Sequence, residues 1–344
     1  MLRSLKQEGL VEVRGRRVEA LPHAKKLFDS YSIRSIGEQV DIVYRGKVIG
    51  NRQLPIALWE LFPGAVYLHG GKLYRSADFV YDPYSKKRYA KLVELPEDFP
   101  YYTRALKTSI PKVLEVVEEK AVGGVQAWYC KLRVTSIVPA YLLMEIGSNK
   151  VVKKVELKQP LAYSFETFGF VFKAPTPVKL VQEMLGKKDV QRKLEEEYAV
   201  KKGRLLLDVE DPEFMLLGGA FHAVEHVLIE SSDMLTGGGR SEMGGVSMGT
   251  TGLIYVYDGT PGGTGSSRLL FDRLAEGFKR SLSILTSCDC TTLSGCPRCT
   301  YSYRCGNNNF PLFKLGAAES LKLAVKGERT SIAEEDLKVE EGIV

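Results

Sequence analysis

The sequence lacks several features that define common classes of protein. It has no apolar run long enough to span a membrane and no amino-terminal signal segment, so we expect a cytoplasmic location and no membrane partner. It also has no glycine-rich loop ending in Gly-Lys-Ser or Gly-Lys-Thr, the loop that cradles nucleotide phosphates. We therefore expect no ATP hydrolysis, and no other catalytic activity, from these 344 residues alone.

The sequence contains many residues of both charges, with a small excess of positive charge. The chain has 48 Lys and Arg against 42 Asp and Glu, a net charge of +6. The hydrophobic fraction of 44% and the charged fraction of 26% are typical of a globular protein, and the length suits two or three domains. Residues 326–344 hold three basic and six acidic residues, so the rest of the chain carries the positive excess. A positive body suits DNA as a partner but does not prove it.

Cysteine is scarce but concentrated. Five of the six cysteines lie between Cys288 and Cys305. Thiolates are soft ligands that suit zinc, and a structural zinc needs four of them. Cys296 and Cys299 have the spacing of a zinc knuckle, with Cys290 and Cys305 on either side, so we predict that these four residues bind one zinc. Cys288 is left over, because side chains one residue apart in an extended chain point to opposite sides.

Other chemistry of clustered cysteines stays open at this point. Disulfides would require an oxidising compartment, and the sequence has no signal segment that leads to one. A redox-active Cys-x-x-Cys usually lies between a strand and a helix, whereas Pro297 and several Gly, Thr and Ser residues surround this pair. An iron–sulfur cluster held by the same thiolates is compatible with the spacing. A four-thiolate zinc is the interpretation that we favour.

The first 36 residues predict a short helix and a basic hairpin. Residues 11–18 alternate between apolar and polar on both sides of Gly15. A helix followed by a basic hairpin is typical of the end of a winged helix. Arg14, Arg16 and Arg17 would then lie at its tip, where they either contact phosphates or form a solvated turn. A complete winged helix needs more chain, so we expect a fragment or a subunit that completes a partner's domain.

The rest of the chain predicts an α+β fold. Residues 37–175 contain short alternating segments and glycine turns, which are typical of a small barrel or curled antiparallel sheets. Residues 176–325 predict a helical carboxy-terminal domain with one strand and a four-cysteine zinc knuckle. Residues 326–344 form a charged tail. The predicted organisation is therefore a winged-helix remnant at 1–36, a β-rich domain, a zinc-binding domain and the tail.

Two short patterns in the last domain suggest chemistry of their own. His222-Ala-Val-Glu-His226 matches the inverted zinc-protease motif, because histidines four apart share a helix face and Glu225 could act as a base. No third ligand is apparent, so we favour histidines that pack within the domain or line its DNA-facing side. Residues 258–265, Asp-Gly-Thr-Pro-Gly-Gly-Thr-Gly, lie between a predicted strand and a predicted helix, where they either hold a phosphate or form a tight turn.

Taken together, these patterns resemble the carboxy-terminal zinc-binding module of the MrfA-like DNA repair helicases of superfamily two. The matching pieces are the His-x-x-Glu-His motif, residues 257–265, and the cysteine run that ends Cys305-Gly-Asn-Asn-Asn-Phe-Pro311. Residues 32–35 and 63–69 are similar to the segment that those helicases carry after their motor. The resemblance covers nearly the whole chain. The resemblance implies a function on DNA, a structural metal and the absence of the helicase motor from these residues.

We therefore expect a zinc-stabilised accessory module or subunit of an ATP-dependent DNA helicase acting in DNA repair. It would bind single-stranded DNA and work with motor domains carried upstream or by a partner subunit. Cations and aromatic rings alternate near the predicted zinc at Arg298, Tyr301, Tyr303 and Arg304, where they could stack bases and hold phosphates or form the core of a metal-held loop. Two other hypotheses stay open: a scaffold subunit of a defence or repair complex, and a zinc hydrolase that uses the His-x-x-Glu-His motif.

Overall fold

A computed structural model describes residues 5, 9–14, 17–22, 24, 38–82, 87–238 and 242–337 of the chain. Contacts between residues divide the chain into two compact units, residues 1–38 and residues 39–344. Strands predominate in the amino-terminal half and helices in the carboxy-terminal half, so the predicted α+β class is confirmed. Within the described ranges, no helix is both long enough and apolar enough to cross a membrane.

The first unit contains a two-stranded hairpin. Strand β1 (Val11–Arg14) pairs antiparallel with β2 (Arg17–Ala20), and Arg14 lies opposite Arg17. All four side chains of β2 are exposed. The predicted hairpin is confirmed, whereas the predicted helix before it falls mostly outside the described residues. The winged-helix interpretation stays a prediction.

The second unit begins with a small curled sheet of five strands. They are β3 (Gln39–Tyr44), β4 (Lys47–Gln53), β5 (Val66–His69), β6 (Lys72–Asp82) and β7 (Lys87–Glu94), in the order β4-β3-β7-β6-β5. Neighbouring strands are antiparallel except β3 and β7, which are parallel. Gly46 closes the first hairpin with a positive φ of 76°, a conformation that glycine adopts without strain. A short helix, α1 (Ile56–Glu60), connects β4 to β5.

A second sheet of five strands forms the centre of the unit. Three long strands, β8 (Tyr101–Val122), β9 (Val125–Glu145) and β10 (Val151–Lys173), continue through β12 (Leu253–Asp258) to β11 (Met243–Ser247). Every pairing is antiparallel. The sheet therefore joins strands from both sides of residue 175.

Strand β9 shows why the long sheet is covered on both faces. Ala127 and Tyr129 belong to the core shared with the helices, while Trp128 and Cys130 belong to the core shared with the small sheet. Successive side chains of a strand point to opposite faces, so each face of β9 has its own apolar layer. Along residues 125–144, every side chain except that of Arg133 is accordingly buried or half-buried.

The helices follow the long strands in sequence. They are α2 (Val178–Leu185), α3 (Lys188–Lys201), α4 (Pro212–Glu230), α5 (Asp233–Thr236), α6 (Ser266–Asp272), α7 (Leu274–Ser287) and α8 (Lys314–Lys326), with a 3₁₀ turn at Glu334–Leu337. Helix α4 is central and buried, as its apolar periodicity predicts. Asp211 caps this helix, because its Oδ2 accepts the N–H of Phe214 at 2.7 Å, and Pro212 occupies the first turn.

Helices α4 and α8 pack unusually closely. A Cβ added to Gly316 of α8 would lie 2.7 Å from the Cβ of Ala220 in α4 and 2.3 Å from Cδ1 of Phe313. Only glycine permits this approach. On the other side of the contact, a Cβ on Gly219 would meet the backbone of Leu312 and Phe313 at 3.1–3.2 Å. The loop before α8 is therefore held directly against α4, where the two histidines of the motif lie.

Candidate metal centre

Four cysteine thiols lie together where α7 ends. Cys288 follows the last residue of α7, and Cys290, Cys296 and Cys299 come from the loop after it. All four Sγ atoms lie within 4.8 Å of one another. The Sγ–Sγ distance is 3.6 Å for Cys288–Cys296, 3.7 Å for Cys290–Cys299 and 3.8 Å for Cys296–Cys299. Zinc–sulfur bonds of about 2.3 Å in a tetrahedron separate two sulfurs by about 3.8 Å, so the group fits a four-thiolate zinc.

Hydrogen-bond donors converge on these sulfurs. The N–H of Cys296 donates to Cys299 Sγ at 3.3 Å. Lys314, at the start of α8 and only 6% exposed, donates from Nζ to Cys290 Sγ at 3.3 Å. It also donates to the backbone oxygens of Cys288 and Cys290 at 2.6 and 3.1 Å. One zinc with four thiolates carries a charge of about −2, so the buried ammonium offsets part of it.

The thiol of Cys288 has a lowered pKa. A hydrogen bond from the backbone N–H of Cys290 holds the pKa of Cys288 below its usual value, at about 7. Burial acts in the opposite direction on Cys299 and raises its pKa. A metal binds thiolates rather than thiols, so the low pKa of Cys288 favours its role as a ligand.

The structure differs from the sequence prediction in the fourth cysteine. Cys288 completes the group, whereas Cys305 lies in a separate group with His222 and His226. In an extended chain, Cys288 and Cys290 would point to opposite sides, which is why the spacing alone leaves Cys288 out of the predicted set. Cys288 and Cys290 instead follow the end of a helix and belong to no strand, so that alternation does not apply to them.

The second group joins helix α4 to the loop before α8. His222 Nε2 lies 3.5 Å from Cys305 Sγ, and the two imidazole rings have centroids 4.3 Å apart. The Nδ1 atom of each ring is hydrogen-bonded to a backbone oxygen. His222 Nδ1 lies 2.8 Å from Pro311 O, and His226 Nδ1 lies 2.7 Å from Thr300 O. Burial alone would raise the pKa of the Cys305 thiol, but the two histidines hold it well below its usual value.

A cavity of about 230 Å³ opens beside this second group, and both histidines, Cys305 and Glu225 line it. Lys107 and Arg304 line it as well and lie over the ring of Trp59, with Lys107 Nζ 3.4 Å and Arg304 Cζ 5.2 Å from its centroid. Burial lowers the pKa of Lys107 to about 7, and the positive charge of Arg304 adds to this effect. Burial also raises the pKa of Glu225. Of the predicted nucleic-acid residues, Arg304 is thus half-buried and lines this cavity.

The other predicted nucleic-acid residues near the zinc differ in their surroundings. Arg298 is exposed and its Nη2 pairs with Asp289 Oδ1 at 2.6 Å. Tyr301 packs against the helical core, with its hydroxyl 3.2 Å from Ser294 Oγ. Tyr303 is 89% exposed. Of the three, Tyr303 is the one that offers a whole aromatic ring to solvent.

A residue outside the predicted set supports Tyr303. Arg104 of β8 places its guanidinium carbon 5.9 Å from the centre of the Tyr303 ring. Its two terminal nitrogens donate to Tyr303 O at 3.1 Å and to Asn308 Oδ1 at 3.3 Å. The sequence showed Arg104 only as a cation beside two tyrosines, and nothing in the sequence placed it against the loop after the zinc.

The three arginines of the amino-terminal hairpin belong to the first unit. Arg17 lies in β2 with an exposed side chain, and the backbone of Arg14 lies opposite it in β1. Arg16 lies outside the described residues. Their contact with phosphates stays a prediction.

The glycine-rich segment at 258–265 forms a tight turn. Asp258 is fully buried, and its Oδ2 accepts the N–H groups of Thr264 and Gly265 at 2.9 and 2.8 Å. Its Oδ1 accepts the N–H of Ser267 at 2.7 Å. The donors that a phosphate would need are therefore taken by a carboxylate of the chain itself, which favours the turn over the phosphate site.

Comparison with known families identifies the zinc module. The family described as the MrfA Zn-binding domain matches residues 224–300, a range that includes the four clustered cysteines and excludes Cys305. The chain is 33% identical over 109 residues to the uncharacterized protein MJ1572.1 of Methanocaldococcus jannaschii, covering 29% of this chain and 96% of that protein. It is 23% identical over 266 residues to the uncharacterized ATP-dependent helicase YprA of Bacillus subtilis, covering 77% of this chain.

Solved structures of a helicase align with the chain as well. The DUF1998 helicase MrfA bound to DNA aligns over 93% of this chain, with a TM-score of 0.47 and 21% identity. A second structure of that helicase aligns over 86%, with a TM-score of 0.47 and 19% identity. The chain spans 30% of the length of YprA and 38% of each solved MrfA chain.

The chain thus carries a zinc-binding domain of the family described as the MrfA Zn-binding domain, and four clustered cysteines lie in it. More particularly, the chain belongs to the same family as MJ1572.1 of Methanocaldococcus jannaschii, nearly all of which it matches.

Proposed function

We propose that this chain is a zinc-stabilised DNA-binding module that works with the motor of an ATP-dependent helicase in DNA repair. The matched zinc domain is described as that of MrfA, and YprA is described as an ATP-dependent helicase. The 344 residues contain no nucleotide-binding loop, so the motor would come from another part of a longer chain or from a partner subunit. Zinc ligands must stay reduced, and we propose the cytoplasm as the location for this reason.

The observation that carries the proposal is the exposed pair of Tyr303 and Arg104. An aromatic ring that is 89% exposed buries almost no apolar surface, so it contributes little to stability where it stands. Arg104 contacts the ring and the backbone of its residue, which limits the conformations of the side chain. A preoriented ring beside a guanidinium is the arrangement that stacks a base and attracts a phosphate in single-stranded nucleic acid.

The zinc cluster would hold this platform in place. Tyr303 lies four residues after Cys299, in a segment without regular secondary structure. Asn309 fixes that segment, since its amide accepts the N–H of Ser302 at 2.8 Å and donates to Ser302 O at 3.0 Å. The metal cluster at the start of this segment and the amide contacts within it would together preorganise the ring for binding.

Fluorescence anisotropy with a labelled single-stranded oligonucleotide tests the proposal. Tyr303→Ala should weaken binding by about 1–3 kcal/mol if one base stacks on the ring, with little change in salt dependence. Arg104→Ala should lower the log–log salt slope by about 0.7, the contribution of one phosphate contact on a single strand.

Matched controls come from the small sheet. Arg45 lies over Tyr44 in the turn after β3, with its guanidinium carbon 5.1 Å from the ring centre, so Arg45→Ala removes a comparable pair elsewhere. It should leave binding unchanged. Equal losses for Arg45→Ala and Arg104→Ala would mean that charge alone matters. An unchanged affinity in Tyr303→Ala would reject the stacking platform, and no binding even at low salt would favour the scaffold hypothesis.

A further inference from the structure

We infer that His222, His226 and Cys305 form a second transition-metal site, separate from the four-cysteine cluster, with its fourth position open to the cavity. Two imidazoles and one thiolate are a donor set for zinc or a similar divalent ion. The matched zinc-domain range ends before Cys305, so it does not account for this group. The inference is independent of DNA binding.

The three donor atoms are close enough together to share one ion. The three donor atoms lie within 4.8 Å of one another. A tetrahedral zinc with bonds of about 2.05 Å to nitrogen and about 2.3 Å to sulfur separates these atoms by about 3.5 Å. His222 Nε2 and Cys305 Sγ are 3.5 Å apart. One ion can therefore reach both atoms without movement of the backbone.

Hydrogen bonds fix the orientation of both imidazole rings. Both Nδ1 atoms are hydrogen-bonded to backbone oxygens, of Pro311 and Thr300, which can accept but not donate. Each Nδ1 must therefore carry a proton, and Nε2 is the nitrogen of each ring that remains to bind a metal beside Cys305. A backbone carbonyl that fixes the tautomer in this way is the usual support of a histidine that binds a metal.

Backbone contacts hold the thiol of Cys305 in position. The N–H of Asn309 donates to Cys305 Sγ at 3.2 Å, which stabilises a thiolate. Gly306 follows the cysteine, and a Cβ there would lie 1.8 Å from Lys107 O, so glycine alone lets the loop lie against β8. The N–H of Lys107 donates to Gly306 O at 3.1 Å and fastens this contact. The thiol thus has a fixed position before a metal arrives.

The fourth position faces the cavity. Glu225 lies between the two histidines in sequence, yet its carboxylate does not join the three donor atoms, and Oε2 is 3.8 Å from His226 Nε2. Three protein ligands leave room for one more, which is the pattern of zinc sites that hold water or an exogenous ligand. Arg304 lines the same cavity, and its positive charge favours an oxygen ligand with negative charge, such as hydroxide or another small anion.

Metal content tests this inference in the full chain. Protein purified without chelators and equilibrated with zinc should carry about two zinc ions per chain, one in each site. Cys305→Ser and His222→Gln should each carry about one. His69→Gln is the matched control, because His69 lies in β5 and contacts Ile49 O at 3.0 Å, and it should keep about two. Wild-type protein with about one zinc, or Cys305→Ser with about two, would overturn the inference.

Two measurements on the wild-type protein avoid the risk that a variant fails to fold. X-ray absorption at the zinc edge should show nitrogen as well as sulfur neighbours, and a shell of sulfur alone would contradict the site. In cobalt-substituted protein, azide should change the visible spectrum, because it can enter the open position. A visible spectrum that does not change when azide is added would contradict an open fourth position.

Discussion

Lys314 is the residue that ties the four-cysteine cluster to a helix. Its ammonium donates to one ligand sulfur and to two backbone oxygens of the cluster, and its side chain is almost fully buried. A buried cation is costly unless its charge is matched. The excess negative charge of a zinc with four thiolates supplies the match, so the lysine and the metal site stabilise each other.

Lys314→Met should weaken zinc binding by about 10–100-fold, the usual effect of removing a hydrogen bond to a ligand. Methionine keeps the length of the side chain and loses its charge. Competition with a coloured chelator measures the affinity. Lys322→Met is the control, because Lys322 lies on the same helix and pairs with Glu319 at the surface. Equal affinities in the two variants would show that the buried ammonium does not support the site.

Helix α4 carries His222 and His226 of the second candidate group, and its partner α8 carries Lys314, which contacts the four-cysteine cluster. The apolar periodicity of α4, the cap at Asp211 and the proline after it were sufficient to predict this helix from the sequence. The length of β8, β9 and β10 was not predicted. Their register shifts, for example between Glu156 and Leu161, interrupt the alternation that identifies a strand. The pairing of strands in a sheet also joins residues that are far apart in the sequence, so the pattern of one strand does not identify its partner.

Gly316→Leu should destabilise the protein by about 1–3 kcal/mol, because a side chain at this position overpacks the contact between α8 and α4. Urea unfolding followed by circular dichroism gives the free energy of unfolding. Gly186→Ala is the control: a Cβ there has its nearest neighbour at 3.6 Å, and φ is −74°. If the two variants unfold at the same urea concentration, the close approach of the helices does not contribute to stability.

At the scale of the whole molecule, the zinc cluster and its domain could be predicted from the sequence, whereas the exact set of cysteines in the cluster could not. A zinc cluster was predicted from the concentration of cysteines and the Cys-x-x-Cys spacing, and the cluster and its zinc-binding domain are confirmed. The placement of Cys288 in the cluster, and of Cys305 beside His222 and His226, was not predicted. It depends on where α7 ends and on how the loop before α8 folds back on α4, and both are tertiary features that spacing in the sequence does not encode.

The proposed role joins the zinc cluster to DNA binding through one loop. Cys299 contributes to the cluster and Tyr303 presents its ring a few residues later, while Arg104 reaches that ring from β8. If the metal orders this loop, then zinc and DNA binding are linked. Loss of zinc should then remove the platform while the long sheet stays folded, because most of that sheet has its own apolar layers.

The most direct test follows the anisotropy of a labelled single strand while a chelator removes the zinc and added zinc restores it. In the wild-type protein, the account predicts that DNA binding falls in proportion to the zinc lost from the four-cysteine cluster and returns when zinc is added back. In the Tyr303→Ala protein, DNA binding is already weakened, and removal of zinc should not weaken it further. Strand content measured by circular dichroism should change little in the same titration. Binding that persists at full strength in protein shown to be free of zinc would contradict the account.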